Sequence, residues 1–433
     1  MFIRQTIELR PNNKQKTYFR QCFGARRLAY NYGLSEWIRR RDAGEKCNCR
    51  DIRTQFNQEK AAGRWPFLSN VSYSATGYAF DDLKRAFDNF FDGHEKIKAN
   101  GKGVVSAFPT PKSKTYNKGS YTEYFSTDIH RGGVKITDPD MKHPHLKLPR
   151  LKQPVRMTRH IRYKGRIVSV TIRQHNERFY GCFLVEITEE EFYRLHPRYR
   201  CNQNASVGID LGIKAIAVTS DGLLIENPHV WERGLEHENR LQKRMNRCTE
   251  KQSDASPGKN FLRMKHKLWR LRTRIRNQRT DFINKLCAAV LASYGHICIE
   301  TLSVKKMPDT INWRKNKRLL RNHLTDVSIY EIRHRLQTLG ELIGRNVVSA
   351  PNNFPSTRSC CRCGYVKPHM SINQRIYRCP QCGNNIDRDL NAAINLRNII
   401  GRGTSDSMPR AANRMRSELI KSNINHRLIS EGK

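Results

Sequence analysis

Acid is scarce in this chain. Its 39 Asp and Glu face 80 Lys and Arg, a formal charge of +41 at neutral pH that runs from the N-terminal segment to the tail. A surplus of that size repels itself unless a polyanion neutralises it, and the commonest polyanion in a cell is nucleic acid. A merely soluble basic surface is the bland alternative. Long apolar runs are missing too. MFIRQTIELR has no apolar h-region, and no later run approaches the roughly 20 residues a membrane span requires. The expected location is cytoplasmic or nucleoid-associated. The 433 residues, 37% of them hydrophobic, still suffice for two to four domains with ordinary cores.

Paired cysteines are also few outside one stretch. Cys22, Cys182, Cys201, Cys248, Cys287 and Cys298 stand singly, which in a reducing compartment argues against a disulfide framework, and Cys47 and Cys49 have no second pair nearby and read as loop. Five others crowd into residues 360 to 382. Cys360 and Cys363, then 15 intervening residues, then Cys379 and Cys382 match the template for four thiolates around one zinc, and Gly364 and Gly383 follow each pair where a tight turn is needed. Cys361 is a rival thiol, but the two-residue gap to Cys363 favours Cys360. The ribbon could touch nucleic acid or serve only as a staple.

Along the chain, residues 2 to 9 read as a strand, and Pro11 with Asn12-Asn13 supplies a break and a helix cap. Phe19, Cys22, Phe23, Tyr30 and Trp37, then Ala79, Leu83, Phe87 and Phe90, recur at helical spacing, so a helical domain fills roughly 12 to 100. Arg26, Arg27, Arg39, Arg40 and Arg41 on its other faces are either solvated surface or phosphate contacts. A Gly, Pro, Ser and Lys-rich linker follows to about 118. Short alternating runs at 134–136, 146–148, 168–172 and 179–187 then predict a small antiparallel barrel or sheet, with His143 and His145 as exposed turn residues. From Ser206 the texture changes to VGIDLGIKAIAVTSDG: a buried strand, a kink, a second strand and an Asp-Gly turn. A helix with one apolar seam and a crowded cationic remainder is expected near 258 to 293. Strands are expected at 296–300 and 346–350 with helix between them, and a disordered basic tail from 401.

Three acids occupy strand ends or kinks rather than helix surfaces. Asp210 interrupts an apolar run, where an unpaired carboxylate is costly unless a cation meets it. Glu300 ends the apolar strand Ile297–Ile299, and Asp389 lies at the entry to LNAAINLRNII, with Asp387 an equal candidate by spacing. Three carboxylates from separate segments of one α/β domain can hold two hard divalent ions, Mg²⁺ or Mn²⁺ rather than zinc, which activate water and stabilise the leaving oxygen of a phosphodiester.

These stretches resemble a known family. GIDLGIKAIAVTSDG resembles the first RuvC motif, HICIETL the second, and STRSCCRCG, YRCPQCG and DRDLNAAINL the zinc-ribbon insertion and third RuvC motif of the TnpB family, transposon-encoded relatives of type V CRISPR effectors. PNNKQKTYFRQCFGARRLAYNYGL after the first strand, and LKLPRLKQPVRM with GRIVSVTIRQHNERFYGCFLVE, are similar to that family's upstream half, so the resemblance covers about residues 1 to 400. It implies a multidomain α+β fold. A wedge β-barrel (first strand 1–10, remainder 118–204) is interrupted by a helical recognition domain (11–117). An RNase H-like RuvC α/β nuclease domain (205–354, then 386–400) carries a zinc-ribbon insertion (355–385), and the basic tail is 401–433. It further implies a prokaryotic RNA-guided DNA endonuclease that cuts double-stranded DNA beside a short adjacent motif. Its guide would be a transposon-derived RNA, and the protein a monomer with that RNA. The catalytic acids Asp210, Glu300 and Asp389 would hold two Mg²⁺ or Mn²⁺, with Asp389 chosen over Asp387 by the family's Asp-x-Asn-Ala-Ala pattern. Cys360, Cys363, Cys379 and Cys382 would hold one structural Zn²⁺.

Four rivals remain. A cleavage-deficient RNA-guided repressor is expected to lack an acid, and all three stand here. A CRISPR-associated type V nuclease shares the chemistry and differs in genomic context. A transposase also uses three carboxylates, but the ribbon placed before the third argues against it. A structural RNA-binding protein explains the charge and the ribbon, not the acids.

Overall fold

The computed structural model describes residues 1–46, 48–100, 107–114, 118–125, 134–138, 141–200, 204–212, 215–249, 258–301, 328–371, 373–401 and 407–429. Cys47, Cys201, about half of the linker and the first part of the helix expected before 346 lie outside them. The chain divides into two compact units, Met1–Leu195 and His196–Lys433.

In the first unit, β1 (Phe2–Arg10) gives way at Pro11 to a 30-residue helix, α1 (Asn13–Asp42). Asn12 caps it: its side chain accepts from the Gln15 amide, and the Gln15 side chain accepts from the Asn12 amide. Tyr18, Phe19, Phe23, Tyr30, Leu34 and Trp37 turn inward. They pack with α2 (Cys49–Ala61) and α3 (Tyr73–Asn100), as the spacing predicts. Arg26 is neither solvated nor free for phosphate, because it pairs with Asp82 and donates to the Ser120 carbonyl. Arg39 and Arg40 pair with Glu36.

The strands of this unit are β2 (Lys118–Tyr124), β3 (Lys135–Thr137), β4 (His145–Lys147), β5 (Val155–Met157), β6 (Arg166–His175) and β7 (Arg178–Glu186), followed by the short α4 (Glu189–Leu195). They form one sheet in the order β2-β6-β7-β1-β5-β4-β3. The first strand thus sits mid-sheet, antiparallel to both β7 and β5. The expected barrel is corrected to a half-barrel: among the described residues β2 and β3 are edges and do not pair with each other. His145 lies on β4 against Asp138 rather than in a turn.

The second unit is built on a six-stranded sheet. Its strands are β8 (Ser206–Leu211), β9 (Ala215–Thr219), β10 (Leu223–Glu226), β11 (His296–Ile299), β12 (Asn346–Ser349) and β15 (His426–Leu428), ordered β12-β11-β8-β9-β10-β15. β8 is parallel to β11, and β11 to β12, whereas β8, β9, β10 and β15 alternate direction. All six residues of β8 are buried, as a central strand covered on both faces requires. Gly222, at φ +81°, makes the expected Asp-Gly turn. Helix α5 (Val230–Thr249) packs on α6 (Lys259–Ser293). The one-sided seam expected for α6 holds only in its first part: from Leu286 to Ser293 every residue is buried, so its last turns are core. α7 (Ile329–Leu342) connects the parallel β11 and β12.

The tail is not disordered in its described part. α9 (Ser407–Lys421) packs on α6, and β15 extends the sheet by pairing with β10. Ala411, Met415 and Leu419, at a spacing of four, are all buried and Ile424 follows them, a thin apolar stripe that a largely polar and basic composition conceals.

Candidate functional site

Two clusters of ligand-type side chains form in the second unit. The ribbon contributes β13 (Ile376–Arg378) paired antiparallel with β14 (Asn385–Asp387); one knuckle precedes β13 and a matching one joins the two strands. In each, the glycine amide donates back to the first cysteine carbonyl (Gly364 to Cys360, 2.9 Å; Gly383 to Cys379, 3.1 Å). Both glycines take positive φ, +81° and +69°, which a side chain would resist. Cys360, Cys363, Cys379 and Cys382 bring their sulfurs within 4.8 Å of one another, with Cys360 to Cys382 at 3.6 Å and Cys363 to Cys379 at 3.5 Å. Four thiolates about 2.3 Å from a tetrahedral zinc stand about 3.8 Å apart, so the donor set fits that ion. Burial raises the Cys360 thiol, yet the amides of Cys363 and Arg362 and the neighbouring sulfur of Cys382 bring it down to about 6, toward the thiolate that binds metal. Cys361 stands outside the cluster; its sulfur accepts from Asn384.

The acids are gathered by the sheet. Ile209 on β8 and Ile299 on β11 are in register as parallel neighbours, so Asp210, the last residue but one of β8, and Glu300, just past β11, stand at the same level. Asp389 arrives from the first turn of α8 (Arg388–Ile399), which lies on β8. Gly208 permits that contact, since a Cβ there would collide with the Ala393 carbonyl oxygen and the Arg397 amide. At the other end of α8, Arg397 pairs with Asp221, which also accepts from the Tyr294 hydroxyl.

Asp210 is buried and its carboxyl is pushed well above the usual carboxylate range. Burial is the main cause, then the charge of Glu300 and a hydrogen bond to it, then the charge of Asp389, with Arg388 opposing. Such a cluster favours a bound cation or a held proton. Arg375 and Arg388 pair with Asp389, and Ser356 donates to Glu300 at 3.0 Å. Asp387 is otherwise employed: its Oδ1 accepts from the amides of Asp389 and Leu390, capping α8. β14 therefore runs straight into the helix bearing Asp389.

Sequence reasoning named the four cysteines, whose sulfurs form one cluster, and three acids, of which Asp210 and Glu300 are hydrogen-bonded and Asp389 lies near enough for its charge to act on Asp210. It missed Gly208, Ser356, Arg375, Asn391 and Asn395. The two asparagines, four apart among alanines and leucines, carried a readable signal: polar side chains on a buried helix face must have partners.

These features define a mixed α and β protein with a zinc-ribbon-like module and a carboxylate cluster at the end of a second sheet. No helix among the described residues is long and apolar enough to cross a membrane. Three family models match, described as a "Probable transposase" of the IS605 OrfB type (residues 183–310), a Cas12f1-like TNB domain (330–396) and a helix-turn-helix domain (1–46). The last covers β1 and α1, a strand and one unbroken helix. Together these matches make the chain similar to the TnpB family. Over 402 residues it is 28% identical to a "Putative RNA-guided DNA endonuclease" of Streptomyces pristinaespiralis, covering 92% of this chain and 88% of the relative. It is 26% identical over 408 residues to "Putative RNA-guided DNA endonuclease InsQ" of Escherichia coli (strain K12), covering 92% and 91%. A 123-residue stretch is 32% identical to "TnpB-like protein L79" of Acanthamoeba polyphaga mimivirus, 28% of this chain and 23% of that one.

Proposed function

We propose that this chain is an RNA-guided DNA endonuclease, encoded by an insertion-sequence-type transposon, that cuts double-stranded DNA beside a short adjacent motif by two-metal-ion hydrolysis. The observation that carries the reading is the register of Ile209 with Ile299, which sets Asp210 beside Glu300 and leaves room for Asp389 from α8. The strand order supports it. Numbered along the chain, the first five strands of the second unit lie 3-2-1-4-5 with the first, fourth and fifth parallel, and we assign them to an RNase H-like (RuvC) nuclease domain.

In this reading Asp210, Glu300 and Asp389 are the catalytic ligands, and Mg²⁺ or Mn²⁺ bound there would activate water and neutralise the leaving oxygen. The chain's own part is to hold three carboxylates together against their repulsion and to keep Arg375 and Arg388 beside the cluster. A guide RNA would bind the cationic surfaces, base pairing would read the target, and the protein would read only the adjacent motif. The first unit supplies the wedge and recognition domains, and zinc on the four cysteines fastens the ribbon.

Replacing Asp210 tests the assignment. Asp210→Ala should abolish cleavage of a guide-matched plasmid while RNA and DNA binding persist, and cutting at the parent rate would exclude Asp210. The match to a Cas12f1-like TNB domain favours one other reading, a CRISPR-associated type V nuclease. Sequencing the RNA that copurifies with the chain separates the two, by origin from a transposon end or from a repeat array.

A further inference from the structure

Between β12 and the first knuckle, the loop 355–361 makes a set of buried hydrogen bonds that neither the zinc site nor the acid cluster needs for its own closure. The Ser356 side chain, 1% exposed, donates from Oγ to Glu300 Oε1 at 3.0 Å. The loop's backbone is held from α8. Asn395 Nδ2 donates to the carbonyls of Ser356 and Ser359, both at 2.8 Å, and Asn391 Nδ2 donates to Ser359 at 2.7 Å. Asn391 Oδ1 accepts from the Cys361 amide at 2.9 Å, beside ligand Cys360. Asn391 is fully buried and Asn395 nearly so. Both amides lie one turn apart on the helix whose first turn carries Asp389, so one rigid element grips the loop and presents an acid.

We propose that Ser356 is a positioning residue that fixes the rotamer of Glu300 for divalent-cation binding, and that Asn391 and Asn395 hold Ser356 in place for it. The proposal rests on the reading of Asp210, Glu300 and Asp389 as cation ligands. A free carboxylate at a strand end can rotate about three side-chain torsions. The Ser356 hydroxyl, on Glu300 Oε1, restricts that freedom before the cation arrives, alongside the hydrogen bond between Glu300 and Asp210. The asparagines explain how a serine in a loop can be so exact: its carbonyl, and that of Ser359, are pinned to α8. The ribbon then has a second role besides fold stability, because its entry loop orients an acid contributed by β11.

The test is Mn²⁺ binding to the full-length, zinc-loaded chain with its RNA, followed by electron paramagnetic resonance, counting only the binding that Asp210→Ala removes. Ser356→Ala should weaken that binding by about tenfold, the usual scale for a residue that orients a metal ligand. Zinc content and melting temperature should stay at parental values. Adding Ser356→Ala to Glu300→Ala should cause no further loss, since the serine acts only through that carboxylate. Ser356→Thr, which keeps the hydroxyl, should recover binding toward the parent even if the alanine variant proves less stable. Parental Mn²⁺ affinity in Ser356→Ala, an equal loss without Glu300, or a threonine variant as weak as alanine each overturns the proposal. If Asp210→Ala itself removes no Mn²⁺ binding, it is the ligand assignment that has failed, whatever Ser356 does.

Discussion

The cysteine cluster and the acid cluster differ in what gathers their side chains. The ribbon draws its four sulfurs from residues 360 to 382 and closes them with local turns: two knuckles, two glycines at positive φ and one short hairpin. The acids come from residues 210, 300 and 389 and meet only because a parallel strand pair and a packed helix put them together. One site is made by local chain geometry and so is coupled to the folding of a small module. The other is made by tertiary structure and strains the fold that makes it, since Asp210 is held among like charges.

The sharpest way to separate them is to remove one ligand from the ribbon. Structural zinc contributes on the order of 10 kcal/mol to the folding of small zinc modules, so Cys379→Ser should release zinc, lower the melting temperature and stop cleavage together. Cys361→Ser should do none of these, because its sulfur lies outside the cluster. Metal analysis and thermal melting of the two variants side by side decide the matter; zinc retained by Cys379→Ser would mean that Cys361 or another thiol can substitute.

Gly208→Ala attacks the tertiary site from behind. The new methyl meets the backbone of α8 at Ala393 and Arg397, so the helix must lift. Overpacking of this kind costs about 1–3 kcal/mol, a loss the unit can survive. Asp389 rides on that helix, so cleavage should fall much further than melting temperature, with zinc content unchanged. Parallel loss of zinc would show that ribbon and helix unfold as one, so that the two clusters are not made independently.

The same distinction governs what could be read from residues alone. Cysteine spacing is a local quantity, and Cys360, Cys363, Cys379 and Cys382 were legible because their geometry is written within one short stretch. Asp210 and Glu300 were legible as odd acids in apolar strands, but that Ile209 faces Ile299 is a register, set by pairing across intervening helices, and nothing local encodes it. Gly208 carries no local signal, because its need to lack a Cβ comes from the packing of α8 against it. The choice between Asp387 and Asp389 was open by spacing, and the capping bonds now account for Asp387. The tail misled for a compositional reason: three buried residues at a spacing of four are enough to seat α9, yet they are diluted by charge.

A buried acid outside the cluster sharpens the contrast further, with the smallest effect. Glu123 on β2 is 1% exposed, and burial raises its carboxyl to about 6 despite hydrogen bonds from Ser72 and Ser74. No second carboxylate is among the causes, so protonation alone relieves it, whereas under the proposed reading Asp210 would also be relieved by a divalent ion. Because the folded value lies above the ordinary 4.5, the protonated form is favoured in the native state. The stability this confers is complete below about pH 4.5 and is lost as pH rises through about 6. Glu123→Gln keeps the shape without the charge. It should therefore match the parent near pH 4 and gain over it up to neutrality, by about 2 kcal/mol at most for a shift of this size. Denaturant melts at several pH values, with and without Mg²⁺, measure it. A gap that is flat with pH, or that Mg²⁺ closes, would mean that Glu123 is not an isolated buried acid and that cation sensitivity is no mark of the Asp210 cluster.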